Sequence, residues 1–376
     1  MPTPLKLIHV ISANDVFGPE KTTINECRAL IKEGWDCQII NFWDTDDIPI
    51  RAKAEAAGVP YRCIISHKRF DYGVVAELKK TFEETGCDLV HSHGYKSDLY
   101  CHLAARRLPT KTVTTIHGWT SENLKVRLYE KMQAFIWRFY DRVFAVSRQY
   151  RDIAIKKGVP HNKLHILYNG IIYDPKAPRS STEDKQQARK KFGLKEDDIS
   201  IGIVGRLSIE KAHDFYLEVA ALVVKEQPQA KFLIIGDGLQ YEPLKKQVQQ
   251  LGITDNVIFA GHVDDMQSAY DAMEIEAICS HREGLPNALL EAMLNEIPVI
   301  SVAVGGVPDV VEDEQGGIII NNRDPKKFAR KLKHLIESAE LRQQLGVKGR
   351  NQIKQNFTFQ RRLELVTQHY RELIGA

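Results

Sequence analysis

Short apolar, β-branched runs alternate with longer amphipathic stretches along the whole chain. In the first half the runs are LKLIHVI (5–11), CQIINF (37–42), DLVHSH (88–93), TVTTIH (112–117) and RVFAVS (142–147). In the second half they are ISIGIVG (199–205), KFLIIGDG (231–238), NVIFAG (256–261), IEAICS (275–280) and PVISVAVGG (298–306). Each is nearly continuous in apolar residues, the pattern of parallel strands covered on both faces. Two successive sets of strand–helix alternation predict an α/β fold of two doubly wound, Rossmann-like parallel sheets facing each other across a cleft. The polar stretch YDPKAPRSSTEDKQQARKK (173–191) reads as a linker running into a helix and separates a domain over 1–172 from one over 173–357. The last segment, FQRRLELVTQHYRELIGA, reads as a helix.

In open parallel sheets, ligands bind beyond the carboxyl ends of the strands. The residues at those ends are Asn14 to Lys21, including Phe17 and Gly18, then His93, His117, Arg206, Gly236 to Gly238, Glu283 and Gly305–Gly306. Arg206 and Lys211, just past one strand, suit a diphosphate, whose charge needs fixed cationic partners. A lysine near a helix start opposes the helix dipole, which favours a functional role. Pro286 suits the first turn of a helix running through NALLEAMLNE. Backbone N–H groups from Gly284 and Leu285 to Asn287 and Ala288 would complete a phosphate cradle. Glu291 lies more than a turn into that helix and suits the two hydroxyls of a ribose. Glu283, in the loop ahead, lies nearer the reacting end of a bound nucleotide.

These residues belong to a longer set of fragments. FGPEK, DLVHSHG, TTIHG, RVFAVSR, ILYNG, VGRLSIEK, IIGDG, VIFAGHV, EGLPNALLEAM and PVISVAVGGVPDVV follow one another in order. Together they resemble the retaining glycosyltransferases of the GT-B fold, family 4, whose E-x7-E motif matches EGLPNALLE. The resemblance implies a nucleotide-diphosphate sugar as donor and a glycan or lipid-linked saccharide as acceptor. It places the donor's diphosphate on Arg206 and Lys211, the ribose on Glu291 and the transferred sugar on Glu283. Gly18 and Gly236 would border the donor, and His117 would hydrogen-bond the sugar. The N-terminal domain would bind the acceptor, with Asn14, Phe17 and His93 on that side. The C-terminal helix, 358–376, would cross back onto it. No metal or other cofactor is implied. The setting implied is cell-envelope or exopolysaccharide assembly.

Three positions depart from the family pattern. Gly18-Pro19-Glu20 stands where Gly-Gly-x-Glu is usual, Ala212 stands where a glycine follows the lysine, and Ile171–Ile172 stand where an acid is usual. DTDD (44–47) imitates a metal-binding acidic motif but follows an early strand, far from the phosphate-binding residues. His91 and His93 are read as pointing to opposite faces of a strand over 88–93, hence not as a chelating pair. His93 alone is the acceptor-site candidate.

Composition narrows the picture further. A net charge of +3 over 376 residues does not suggest a nucleic-acid partner. Six cysteines without a CxxC pair point to a reducing compartment, and the N-terminus has no secretory-signal layout, so a cytoplasmic protein is expected. The segment SENLKVRLYEKMQAFIWRFYDR (121–142) mixes Lys125, Arg127, Lys131 and Arg138 with aromatics. It allows weak peripheral contact with a membrane's inner face, though its aromatics at 135, 137, 139 and 140 fall on no single face and favour core packing. Two alternatives stay open: a nucleotide-sugar epimerase of the same shape, and a catalytically silent nucleotide-sugar sensor.

Overall fold

The computed structural model describes residues 4–68, 70–118, 124–176, 178–312 and 314–375; the side chains of 124–127 are not described. The chain forms two compact units. One comprises Met1–Asn169 with Gln360–Ala376, the other Gly170–Phe359. The division falls ahead of residue 172 because Gly170–Ile171 runs beside the start of the last helix. Ile171 N–H donates to Phe357 O at 2.9 Å and Phe359 N–H to Ile171 O at 2.8 Å.

The first unit has seven strands: β1 (Lys6–Ile11), β2 (Asp36–Trp43), β3 (Tyr61–Ile65), β4 (Leu89–His93), β5 (Lys111–Ile116), β6 (Arg142–Ala145) and β7 (Leu164–Ile166). They pair in the order β3-β2-β1-β4-β5-β6-β7, all parallel. The second unit has β8 (Ile199–Val204), β9 (Ala230–Ile235), β10 (Val257–Gly261), β11 (Ile275–Ile278), β12 (Val299–Val302) and β13 (Gly317–Ile320). Their order is β10-β9-β8-β11-β12-β13, again parallel. The expected runs all hold strands. Three further strands carry weaker patterns: β3 is a partly exposed sheet edge, and β7 and β13 are only three and four residues long.

Each sheet reverses its strand order once, between β1 and β4 and between β8 and β11. Neighbouring connections leave the sheet on opposite sides there and open a crevice at the strand ends. Central strands are buried on both faces, and one core of the first unit runs from Ile8, Val10 and Phe42 to Phe82 and Tyr100. The helix Thr182–Lys191 follows the polar linker. Ser181 caps it, Oγ accepting from Asp184 N–H at 3.1 Å while Asp184 accepts from Ser181 N–H at 2.8 Å. No helix among the described residues is long and apolar enough to cross a membrane.

The helix Phe359–Ile374 packs in the first unit through polar as well as apolar contacts. Arg362 pairs with Glu26 at 3.2 Å, and both side chains are 2 % exposed. At the outer end of the same helix, Arg142 reaches Glu372 at 2.9 Å.

Candidate active site

In the second unit the strand ends come together through glycines. A side chain at Gly236 would put its Cβ 2.1 Å from Gly205 O, and one at Gly305 would lie 2.2 Å from Glu283 O. These are backbone-on-backbone approaches, so no larger residue fits. Around them, Leu207 N–H donates to Asp237 O at 2.9 Å, Gly306 N–H to Gly284 O at 2.6 Å and His281 N–H to Glu210 O at 2.7 Å. The loop that carries Glu283 is thereby pinned between the exits of β8 and β12.

Lys211 lies on a short 3-10 turn, Ile209–Lys211, with its Cε 3.2 Å from where a Gly205 Cβ would be. Its Nζ donates to Glu283 Oε1 at 2.7 Å, and Ser280 Oγ donates to the same oxygen at 2.5 Å. Arg206 follows Gly205 directly and is exposed. The cationic strand end and the Glu283 loop are therefore neighbours. Ala212, next along, has φ 52°, the left-handed region. That explains why glycine is usual there; alanine costs about 1 kcal/mol.

The helix that carries Glu291 spans Asn287–Leu294, and Pro286 is its extended N-cap with ψ 130°. This corrects the expectation that Pro286 occupies the first helical turn. The helix starts one residue later, and Asn287 and Ala288 begin it. Glu291 Oε2 accepts from Tyr270 OH at 2.7 Å. Burial, and then the Glu291 charge, push the Tyr270 hydroxyl well above its ordinary range, so it remains a donor.

Three residues at this site carried no signal in the pattern of the chain. Arg323 donates to Cys279 O at 2.6 Å and Ser280 O at 2.7 Å, bracing the approach to Glu283. Glu276 sits in β11, fully buried, where burial pushes its carboxyl well above the usual range and the Glu291 charge adds to the effect. His213, buried beside Lys211, is pushed down to about 4.

In the first unit β1, β4 and the end of β5 bring four histidines together. His9 on β1 pairs in register with His91 on β4. His9 Nδ1 lies 3.1 Å from His93 Nε2, and His93 Nδ1 lies 3.1 Å from His117 Nε2. His91 contacts Tyr370 OH through Nδ1 at 2.5 Å and Thr115 Oγ1 through Nε2 at 2.8 Å. The expectation that His91 and His93 face opposite ways is wrong. Side chains alternate with a period of two, so residues i and i+2 share a face, and the two rings are 4.3 Å apart. His9, His91 and His93 bring ligand-capable nitrogens within 4.8 Å of one another. Hydrogen bonds already occupy those nitrogens except His9 Nε2, which faces Glu26 Oε1 at 3.7 Å. Burial lowers all four imidazoles below their ordinary range, His117 to about 3.

The loop after β1 is held by Asn41, which accepts from Ala13 N–H at 3.0 Å and donates to Ala13 O at 2.8 Å. Asn14 and Phe17 on that loop are exposed, and the helix Gly18–Lys32 starts at Gly18 with Pro19 in its first turn. Asp46 of the DTDD stretch pairs with Arg51.

The aromatic segment divides. Trp137 and Tyr140 are fully buried, and Trp137 Nε1 donates to the buried Asp98 at 2.8 Å, whereas Phe135 and Phe139 are more than half exposed. The preference for core packing therefore holds for only half of those rings. Lys125 and Arg127 lie outside the described side chains.

A model for group 1 glycosyl transferases matches residues 184–352, and a model for glycosyltransferase family 4 matches residues 17–174. The UDP-Gal:α-D-GlcNAc-diphosphoundecaprenol α-1,3-galactosyltransferase of Escherichia coli is 24% identical over 384 residues, covering 98% of this chain and 97% of that protein. The capsular polysaccharide biosynthesis glycosyltransferase CapM of Staphylococcus aureus is 28% identical over 257 residues, covering 66% and 67%. Among solved structures, HepE of Anabaena in complex with UDP has a TM-score of 0.87 at 19% identity, over 98% of this chain and 100% of that one. The matched halves, the relatives along its length and the two parallel sheets identify the chain as a glycosyltransferase of the GT-B fold, family 4 type.

Proposed function

We propose that this glycosyltransferase is retaining, works without a metal, and moves a hexosyl-type sugar from a nucleotide-diphosphate donor to a hydroxyl of a glycan or glycolipid. The second unit holds the donor. The observation that carries this reading is the Lys211–Glu283 pair at 2.7 Å, next to the start of the helix Asn287–Leu294. It joins a cation for the leaving diphosphate, a carboxylate for sugar hydroxyls, and backbone N–H groups that the first turn of any helix leaves outside its own ladder.

In this mechanism Arg206 and Lys211 take the diphosphate, with backbone N–H groups of Gly284, Leu285 and Asn287 and the loops of Gly236 and Gly18 beside it. Glu291, oriented by Tyr270, takes the ribose. Glu283 holds the transferred sugar, and His117 hydrogen-bonds it. Asn14, Phe17 and His93 serve the acceptor side. The bond from the anomeric carbon to phosphate breaks with its electron pair leaving on the diphosphate. The acceptor oxygen bonds the same face, and its proton passes to a donor phosphate oxygen, so configuration is retained. Lys211 stabilises charge that grows as the bond breaks.

The E. coli relative's name includes UDP-Gal and a diphosphoundecaprenol-linked sugar, and HepE binds UDP and UDP-glucose. These support a uridine nucleotide sugar and a lipid-linked acceptor in polysaccharide assembly. The exposed Phe135 and Phe139, beside Arg138 at 5.6 Å from the Phe135 ring, support weak contact with an anionic membrane at the cytoplasmic face. Flotation with anionic liposomes at low salt, lost at physiological salt, is the expected outcome; absence from the lipid fraction in both rejects the contact.

The main test is a thermal-shift screen of nucleotide sugars, followed by transfer to lipid-linked and free saccharides with the product anomer read by proton NMR. A bound donor at a hundred times its Kd stabilises the fold by about 2.7 kcal/mol. Transfer with retained configuration in the presence of a chelator supports the reading. An inverted product, or a metal requirement, overturns it.

A further inference from the structure

The buried imidazoles of the first unit have a direction, and it can be worked out from the hydroxyls around them. Glu26, in the helix Gly18–Lys32, is the common anchor. It pairs with Arg362 at 3.2 Å and accepts from Tyr370 OH at 2.7 Å. Tyr370 has one hydrogen, spent on Glu26, so at His91 Nδ1 its oxygen can only accept. His91 therefore carries its proton on Nδ1, and its Nε2 accepts from Thr115.

The second limb runs through Thr23. Its Oγ1 donates to Pro19 O at 3.0 Å, so towards His93 Nε2, at 3.5 Å, it can only accept. The His93 proton is thus on Nε2, where His9 Nδ1 shares it at 3.1 Å. His9 must then be protonated on Nε2, the nitrogen that faces the Glu26 carboxyl at 3.7 Å. The reverse polarity would turn a lone pair towards Glu26 and leave Thr23 with a donor's task and no hydrogen. Two independent observations, one at each end of the limb, therefore agree. His93 Nδ1 is left as an acceptor, and the group 3.1 Å away is His117 Nε2, which donates to it. Burial keeps all four rings neutral near pH 7, so these are fixed tautomers rather than imidazolium ions.

We infer that His117 is locked as its Nε2–H tautomer and presents Nδ1 as a hydrogen-bond acceptor, so that it selects a substrate group that donates, a hydroxyl, and rejects one that only accepts. Glu26, Thr23, His9 and His93 are positioning residues: they act by setting which nitrogen of His117 bears the proton. The selectivity part rests on the proposed role of His117 toward the transferred sugar; the tautomer part does not.

The test is long-range proton–nitrogen correlation NMR on the full-length protein with labelled histidine, assigned with single His→Gln variants. Near neutral pH, His9, His93 and His117 are expected as Nε2–H and His91 as Nδ1–H. A His117 protonated on Nδ1, or doubly protonated, overturns the inference. Tyr370→Phe breaks only the first limb. The His91 tautomer should redistribute while His93 and His117 stay as they are, and a change at His117 would overturn the two-limb scheme. In the activity arm, donor sugars carrying fluorine at one hydroxyl position at a time are compared. Fluorine accepts but cannot donate, so the position facing His117 should lose about tenfold in kcat/KM, and that loss, unlike one at a hydroxyl held by Glu283, should vanish in His117→Ala. Equal turnover of every fluorinated donor refutes the acceptor role even if the tautomers are as stated. Failure to transfer any sugar at all would instead count against the proposed reaction and leave the NMR result to decide the tautomers.

Discussion

At the β1/β4 reversal three neutral imidazoles, His9, His93 and His117, form a hydrogen-bonded chain with a fourth, His91, packed beside it, all anchored on a buried ion pair. At the β8/β11 reversal the same topological position holds close-packed glycines, a lysine and a largely buried carboxylate. The strand order creates the crevice in both cases, but the chemistry at its floor is opposite. Uncharged donors and acceptors suit neutral hydroxyls, because nothing charged must be stripped of water when they bind. A lysine beside a helix start suits an anion, which brings its own charge to a site already arranged for it. Shared topology therefore says where to look and leaves open what will be found.

The contrast can be broken at its strongest point first. Arg362→Ala leaves Glu26 as a buried charge without its cation, and should cost about 3–5 kcal/mol of stability. Peptide-resolved hydrogen exchange should confine that loss to the first unit; loss spread evenly over both units would show that the anchor is not local. Lys211→Ala makes the reciprocal cut. It should lower kcat/KM by about 2–4 kcal/mol of transition-state stabilisation with little change in melting temperature, and unchanged kinetics would remove Lys211 from the diphosphate role.

Acid should sharpen the difference. An imidazole with a lowered folded pKa takes up its proton more readily in the unfolded chain. Its contribution to stability is complete above about 6.5 and is lost as pH falls towards the folded value. For His117, with a folded value of about 3, moving from pH 6.5 to 5 removes about 2 kcal/mol. His9, His91 and His93 shift in the same direction, whereas among the described histidines of the second unit only His213 and the exposed His281 are lowered likewise. Hydrogen exchange at the two pH values, corrected for intrinsic rates, should show the first unit opening more; the reverse order would refute the assignment. The smallest effect belongs to Tyr270→Phe, which frees Glu291 from one hydrogen bond. It should raise the donor KM by a factor corresponding to about 1 kcal/mol, and a fall in kcat with KM unchanged would move Glu291 away from the ribose.

Much of this was visible in the chain alone, for reasons that particular residues make plain. Ten apolar runs marked ten strands because doubly covered parallel strands must be apolar throughout. The strands Tyr61–Ile65, Leu164–Ile166 and Gly317–Ile320 escaped notice because an edge strand and two very short ones need no such run. Lys211 and Glu283 were found because a turn after a strand concentrates chemistry, and they lie 2.7 Å apart. Tyr270, Arg323 and Glu276 were not, since each reaches the site from a different part of the second unit and none stands in a local motif. His9 and Glu26 were missed for the same reason, whereas His91 was set aside by misreading the i, i+2 spacing that puts it on the face of His93. Their partnership depends on β1 lying beside β4 and on a helix from the far end of the chain, and no spacing along the sequence encodes that.

The placement of that last helix sets an order of assembly. Arg362 and Tyr370, which complete the polar heart of the first unit, leave the ribosome only after the whole of the second unit. The second unit, continuous from Gly170 to Phe359, has all its parts earlier. During synthesis the N-terminal half must wait with an uncompensated glutamate inside it, and the half that begins later is the first able to finish folding.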